Sequence, residues 1–407
     1  EFNGGRHSGA ALQRFARYAY AQWNARFLLL VGNGTLDPIR VDPNSALDWI
    51  PVLPTPGPVG SSEGFEIIPS DNRYGFISGN EDPISSPDSN RVVPELMIGR
   101  LTVNSLAEAN TVIAKIIAYE DLSKPDGWRR NVLLTADDAF SGESTFGGGT
   151  TTSGYCHRSY EELFVGLDHT MQAYITSDSG VAGMNVEQFN LRSYLTNELF
   201  NFNPVNGDTC RVDRSATQQR CHAGVTPILL GKLNGPPPVP PSTVPLADAG
   251  QLLWNYQGHA NEFVLTHEDL FVNQGTSNGD EYRLANDGRP FLFTAFSCHA
   301  NMFAHPEHQL NAAVGPCLGE DLMARPNGRG AVASWASVCF EVVPRDDHTH
   351  INVELIRSMF VNPPRDEFLG ADDRGSRVVL GEVILSALFR YVGTTQSYAP
   401  ERGLAIS

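Results

Sequence analysis

Four short runs in this 407-residue chain are predominantly apolar on both faces, which leaves few folds open: residues 132–135, 252–256, 291–295 and 331–335. Each is too short for a helix and lacks the alternation of a half-buried strand. A strand with two apolar faces has to be covered on both sides, which is the situation of parallel sheets packed between helices. Helical patterns near 318–324, 351–360 and 378–391 supply the covering layers, so the expected class is α/β, with a mainly parallel sheet covered by helices on both faces.

The first part of the chain has the same grammar on a smaller scale. Leu12, Phe15, Ala19 and Trp23 recur at helical spacing behind Ser8, a residue suited to the N-cap. A strand at 27–31, a Pro/Gly-rich loop at 42–64 and a short strand at 96–98 follow. The next helix opens on Ser105-x-x-Glu108, a capping box, and its pattern predicts burial of Leu106, Ala109, Ile113, Ile116 and Ile117. A boundary near Pro125 separates a smaller N-terminal α/β subdomain, 1–125, from a larger one, 126–393, with 394–407 as a C-terminal extension. Beyond the boundary the reading is strand 132–135, a helix from about Tyr155, strand 171–175 and a helix from about Val186. The segment 201–247 holds Cys210, Cys221 and the run Pro236-Pro237-Pro238-Val239-Pro240-Pro241, which cannot lie inside a helix or a central strand. It reads as an insertion between core elements.

Lys+Arg 29 against Asp+Glu 46 leaves a net charge of −17, which argues against nucleic acid or anionic membrane surfaces as partners. No apolar run approaches the ~18 residues of a spanning helix, and no signal peptide is visible at Glu1. The six cysteines, Cys156, Cys210, Cys221, Cys298, Cys317 and Cys339, form no CxxC pair. Cys210 and Cys221 are near enough to close a small loop, and the other four read as free or buried thiols.

Ligands of open parallel sheets bind beyond the carboxyl ends of the strands. Three such ends carry reactive residues: Gln257-Gly258-His259-Ala260-Asn261, Phe296-Ser297-Cys298-His299, and Ala136-Asp137-Asp138. A thiolate at Cys298 is a nucleophile, and an imidazole at His259 can take its proton and return it to a leaving amine. Backbone N–H groups of Ala260 and Cys298 can face the oxyanion that develops. Asp137 can orient the imidazole, although an Asp-Asp pair after a strand is also an ordinary helix N-cap. Singly, each residue has a plainer reading, a buried thiol or a loop histidine; their common position after neighbouring strands is what joins them.

The segments FLLLVG (27–32), SDNRY (70–74), ELMIGRL (95–101), Tyr119-Glu120, 132–137, YQGHA (256–260) and 295–298 together resemble the gingipain family of cysteine peptidases. The resemblance implies a caspase-like fold, protein or peptide substrates, His259 and Cys298 as a catalytic dyad with Asp137 as the acidic partner, and an extracellular or cell-envelope location. It implies no required cofactor. Calcium as a structural ion, as in family members, points to acidic loops such as Asp71, Glu81 and Asp82. Two departures stand out: Ala260 replaces the family's usual glycine, and no pocket carboxylate stands near Tyr155 and Cys156, where arginine-specific members have one. Cleavage after a basic residue therefore needs another acid. Glu341, beyond the 331–335 strand, is the candidate, with Ser337 beside it and Asp138 and Glu143 as alternatives. The chain stops at Leu404-Ala405-Ile406-Ser407, where family members continue into another strand.

Three other readings use the same residues. A transpeptidase or sortase of the envelope would pass the acyl group from the same dyad to an amine. Cys298, His299, His305 and His308 could instead crowd around zinc. A non-catalytic scaffold would keep the fold with an unreactive Cys298.

Overall fold

The computed structural model describes residues 2, 4, 7–41, 45, 47–56, 67–78, 93–121, 127–146, 152–177, 180–195, 200–202, 209–212, 214–235, 249–273, 278–304, 316–339, 341, 350–361 and 379–394. The first helix, α1 (Gly9–Trp23), starts where Ser8 Oγ accepts the Ala11 N–H. It packs on a two-stranded parallel sheet of β1 (Phe27–Val31) and β4 (Met97–Leu101), with the hairpin β2 (Pro54–Pro56) and β3 (Ile67–Pro69) between them in the chain. One arginine ties the loops to this sheet. Arg100 of β4 donates to both carboxylate oxygens of Asp71, at 2.6 and 2.8 Å, and to the carbonyls of Gly32, Ile50 and Pro51. The SDNRY and ELMIGRL segments thus meet in one buried ion pair.

Helix α2 (Leu106–Glu120) is capped by Ser105, whose Oγ accepts from Glu108 N, while the Glu108 carboxylate reaches back one residue beyond the cap to Asn104 N. Its buried face is not the expected one. Val112 and Lys115 are buried, with Ala109 and Ile116 packed against them, whereas Leu106, Ile113 and Ile117 are exposed. The helix is turned by about one residue because the Lys115 amine seeks carbonyls: it donates to Met323 O at 2.7 Å and Ala331 O at 3.1 Å.

The larger region begins with β5 (Asn131–Ala136), then β6 (Phe140–Phe146), β7 (Thr152–His157), α3 (Leu163–Ile175), β8 (Asn185–Asn190), β9 (Phe200–Phe202) and β10 (Thr209–Val212). The sequence reading errs here in three places. Tyr155 lies in β7, not a helix, because its strand pairs with β6 and β10 and buries the ring. Residues 171–175 end a helix, since Phe164, Leu167, Met171 and Ile175 form one buried stripe at spacings of three and four. Val186 lies in a strand, β8, which pairs in parallel with β5 along its whole length.

Residues 214–234 form a continuous helical stretch, α4 (Arg214–Arg220), a π-turn at Cys221–Val225 and α5 (Thr226–Asn234). Its Cys221, Val225, Leu229, Leu230 and Leu233 pack against Leu133, Trp254 and Phe293 of the central strands. None of the central strands comes from 201–247, but this part of the segment is core and not a loose excursion; residues 236–241 lie outside the described ones. The cysteine pairing differs too. Cys156 is disulfide-bonded and Cys221 is a buried free thiol, so Cys210 and Cys221 are not bridged. Across the β7–β10 ladder the Cα partner of Cys156 is Cys210.

The remaining elements are β11 (Leu253–Gln257), the small hairpin β12 (Val264–Leu265) and β13 (Phe271–Val272), β14 (Phe291–Phe296), α6 (Leu318–Ala324), β15 (Ala331–Ala336), α7 (Ile351–Ile356) and α8 (Leu380–Thr394). Among the described residues the central sheet is five-stranded, wholly parallel, in the order β15-β14-β11-β5-β8. The π-turn, α5 and α6 cover one face, and α3, α7 and α8 the other. A separate antiparallel sheet, β6-β7-β10-β9, springs from the loop after β5. The strand order turns back between β5 and β11, which makes the crevice above those two strands the topological switch point. Among the described residues no helix is long and apolar enough to cross a membrane.

Burial, and then the charge of Arg325, pull the Lys115 amine down to about 7. The unfolded chain holds that proton up to about 10.4, so between these values it binds more protons than the folded one and stability rises with pH. Between pH 7 and 9 the urea midpoint of the native protein should therefore rise relative to that of Lys115→Met; a difference that stays constant over that range would mean that the folded chain does not release the Lys115 proton early.

Candidate functional site

Parallel register brings three strand ends to one level. Ala136 of β5 pairs with Gln257 of β11, which pairs with Phe296 of β14. Asp137 follows the first by one residue, and His259 and Cys298 follow the second and third by two each. The imidazole and the thiol therefore leave the same rim from adjacent strands. Between Gln257 and His259 the chain needs Gly258. Its φ is +148°, and a Cβ there would lie 2.2 Å from Cβ of Asp137.

Nearly every part of His259 has a partner. Its backbone N–H donates to Asp137 Oδ2 at 2.9 Å, and its carbonyl accepts from Tyr256 Oη at 2.6 Å and Thr266 N at 2.8 Å. Nε2 lies 3.0 Å from Oε1 of Glu161, and the ring sits edge-on to Phe164, with centroids 5.7 Å apart and planes at 88°. The other ring neighbour is His267, centroid 4.7 Å away. Asp137 thus grips the backbone of the histidine, and the imidazole itself is bonded by Glu161. Sequence reasoning missed Glu161 because it sits 24 residues after Asp137, in the short turn before α3, within a stretch whose pattern suggested only helix. Only the two-acid pattern Glu161-Glu162 marked it. Ser141 of β6 donates to the same Glu161 oxygen.

Electrostatics follow from burial and crowding. Burial, then the neighbouring Asp138, push Asp137 up to about 7, against the stabilising N–H groups of His259 and Asp138. For His259 burial pulls downward, but the Glu161 hydrogen bond and the charges of Asp137, Glu161 and Asp138 outweigh it and hold the imidazole above its ordinary value. The site therefore favours imidazolium, the form that pairs with a thiolate.

Cys298 is half-buried, and its Sγ accepts from the backbone N–H of Glu341 at 3.4 Å. That contact brings Glu341 to the thiol. The Glu341 carboxyl is bonded to Ser337, and burial raises it to about 7. His299, next to the thiol, is held at φ +56° with its N–H on the Cys339 carbonyl. Such a left-handed residue is uncommon outside glycine and keeps the turn after β14 tight. Ala260 forms an isolated antiparallel bridge with Leu265, made by Thr266 N to His259 O and Asn261 N to Val264 O. In a pair of that kind the N–H of Ala260 itself points away from the ladder.

Both oxygens of Asp71 are taken by Arg100, and Glu81 and Asp82 lie outside the described residues. For zinc, His305 and His308 also lie outside them, and the His299 ring faces Glu262 at 4.0 Å. Asp137, Asp138 and Glu268 bring oxygens within 4.8 Å of one another, but both oxygens of Asp137 already accept backbone N–H groups. The side chain of Glu143, in β6, is not among those described, and Asp138 accepts from Phe140 N.

Comparison with known proteins settles the family. The model of peptidase family C25 matches residues 1–402. The chain belongs to peptidase family C25, the gingipain family of cysteine peptidases. Among solved structures it is similar to the Arg-specific cysteine proteinase gingipain R, at 20% identity and a TM-score of 0.52, covering 98% of this chain and 66% of that one. A complex of pro- and mature domains from Porphyromonas gingivalis matches at 19% identity and a TM-score of 0.52, over 98% of this chain and 67% of the other. This chain thus spans about two thirds of the length of those relatives, and the likeness establishes a shared α/β fold. No curated protein matches the chain in sequence.

Replacing Glu161 by Gln removes a carboxylate that raises the His259 imidazole. The His259 pKa, followed by NMR titration, should fall in Glu161→Gln; an unchanged value would mean that the hydrogen bond does not govern the ring.

Proposed function

We propose that this C25 family member is a cysteine endopeptidase in which Cys298 is the nucleophile and His259 the general base and acid. The observation that carries the reading is the Gln257–Phe296 pairing, which sets His259 and Cys298 at equal distance beyond adjacent parallel strands. His259 takes the Sγ proton, and the thiolate attacks the carbonyl carbon of the scissile bond. The resulting oxyanion faces the backbone N–H groups of Cys298 and Ala260. The imidazolium then protonates the leaving amine, the C–N bond breaks, and a thioester remains on Cys298. Water, deprotonated by His259, attacks that thioester; the acid product departs as the sulfur regains its proton. Asp137 fixes the histidine backbone and Glu161 its ring, so both act as positioning residues. The chemistry requires no cofactor.

For substrate choice, the reading is a basic residue before the scissile bond. One of the similar solved structures is that of an Arg-specific enzyme. In this chain Glu341 supplies the acid and Ser337 steadies it, since the Glu341 backbone touches Sγ and its carboxyl is bonded to Ser337. A desolvated guanidinium needs such a carboxylate to offset its burial. The two subdomains divide at about residue 125, and the larger one is caspase-like in this reading. The disulfide at Cys156 fits an oxidising location, extracellular or in the cell envelope.

Cys298→Ala should abolish peptide cleavage with the fold retained, and His259→Ala should cost about 10²–10⁴-fold in kcat/KM. Asp137→Asn should lose less. Near-native cleavage by Cys298→Ala rules out the nucleophile. A positional-scanning peptide library should show a preference for arginine or lysine that weakens in Glu341→Gln; an apolar or acidic preference, untouched by that substitution, contradicts the pocket.

A further inference from the structure

The imidazole of His259 has a second imidazole against it. The ring of His267 lies 4.7 Å away, centroid to centroid, with the planes at 46°. His267 sits in the tight turn between β12 and β13, and its place is set from several sides. Its ring also meets the Tyr155 ring at 5.1 Å, and its carbonyl accepts from Tyr155 Oη at 2.7 Å and Gln218 Nε2 at 3.0 Å. Thr266, just before it, is fixed at φ +67° with its N–H on the His259 carbonyl. Asp269, two residues on, is held at φ +58° and accepts from Gln218. A turn with two left-handed non-glycine residues, anchored from β7 and α4, holds this ring against the histidine of the proposed dyad.

We propose that His267 is a positioning residue for His259: it packs the imidazole in its working orientation and, by taking a second proton at low pH, sets the acid limit of the Cys298–His259 pair. The proposal rests on the reading of those two residues as the reacting pair. In the attacking state His259 carries the proton that has left Cys298. A neutral aromatic ring beside that imidazolium stabilises it, as the face of an aromatic ring does for any cation. A second imidazolium at 4.7 Å repels it, since like charges at this range oppose ionisation of their neighbour. The pair of histidines therefore works with one proton between them and fails with two.

The groups near the two histidines act on that balance. From its own turn come Glu268 and Asp269; from β7, the Tyr155 phenol; from the loop after β5, Asp137 and Asp138, whose oxygens lie within 4.8 Å of one from Glu268. From the turn before α3 comes Glu161, through His259, and from α4 and the π-turn come Gln218 and the buried thiol of Cys221. All the charged members of this set are acidic. They favour uptake of protons by the histidine pair.

Alkylation of Cys298 by iodoacetamide tests this without a known substrate, because its rate follows the thiolate. Rates are measured against pH on the whole chain, with the site of modification read by peptide mass spectrometry. In His267→Phe the plateau at neutral pH should stay within about twofold of native, since the ring is kept, while the fall at acid pH moves down by about half a pH unit or more. His267→Ala should lower the plateau itself by about fivefold or more, because the imidazole loses its packing. A His267→Phe profile that superimposes on the native one, or a native plateau in His267→Ala, overturns the proposal. His259→Ala is the control for the underlying reading: if it leaves the native profile unchanged, the dyad is wrong and His267 is not what failed.

Discussion

One row of strand pairing, Ala136 to Gln257 to Phe296, is what the candidate site depends on. Parallel strands in register deliver their next residues to a common edge. Here that edge receives Asp137, His259 and Cys298 without any long-range adjustment of loops. The row lies at the reversal of strand order between β5 and β11, the position at which open parallel sheets bind their ligands. What holds the row level is burial on both faces: every residue of β11 and β14 is buried. A shift of one residue in this pairing would point the histidine and the thiol apart, and would also drive the Gly258 position into Asp137.

Around this scaffold the chain concentrates acids. Asp137, Asp138, Glu161 and Glu268 are all buried within reach of His259 or of one another, and Glu341 lies beside the thiol. Such a collection would be costly if every group were charged, and burial raises Asp137 and Glu341 to about 7. What remains of the negative field acts on the imidazole, which is held above its ordinary value.

Four of the central strands, β5, β11, β14 and β15, the capped helices α1 and α2 and the place of His259 and Cys298 just beyond strand ends were legible because each rests on local pattern. Runs such as 291–295 admit no other burial, and Ser8 and Ser105 announce the helices they cap. Other features depend on partners far away in the chain. Met171 and Ile175 look like a strand until Phe164 and Leu167 are seen on the same face. Helix α2 turns because Lys115 finds carbonyls more than 200 residues further on. Asp137 stands on the expected rim but holds the histidine backbone instead of its ring, since sequence cannot tell whether a carboxylate meets an imidazole or the backbone beneath it. Glu161 carried no signal beyond the two-acid pattern it makes with Glu162, and His267 none, for they reach His259 only through the turn before α3 and the β12–β13 hairpin.

The central claim is that Cys298 is the thiol activated by this rim, and affinity labelling tests it most directly. A peptidyl acyloxymethyl ketone carrying arginine, incubated with the native chain, places its adduct by mass spectrometry. The other described free thiols, Cys221, Cys317 and Cys339, are all buried. The account predicts one adduct per chain, on Cys298; an adduct on another cysteine, or none while an unhindered alkylating reagent still reaches Cys298, would contradict it.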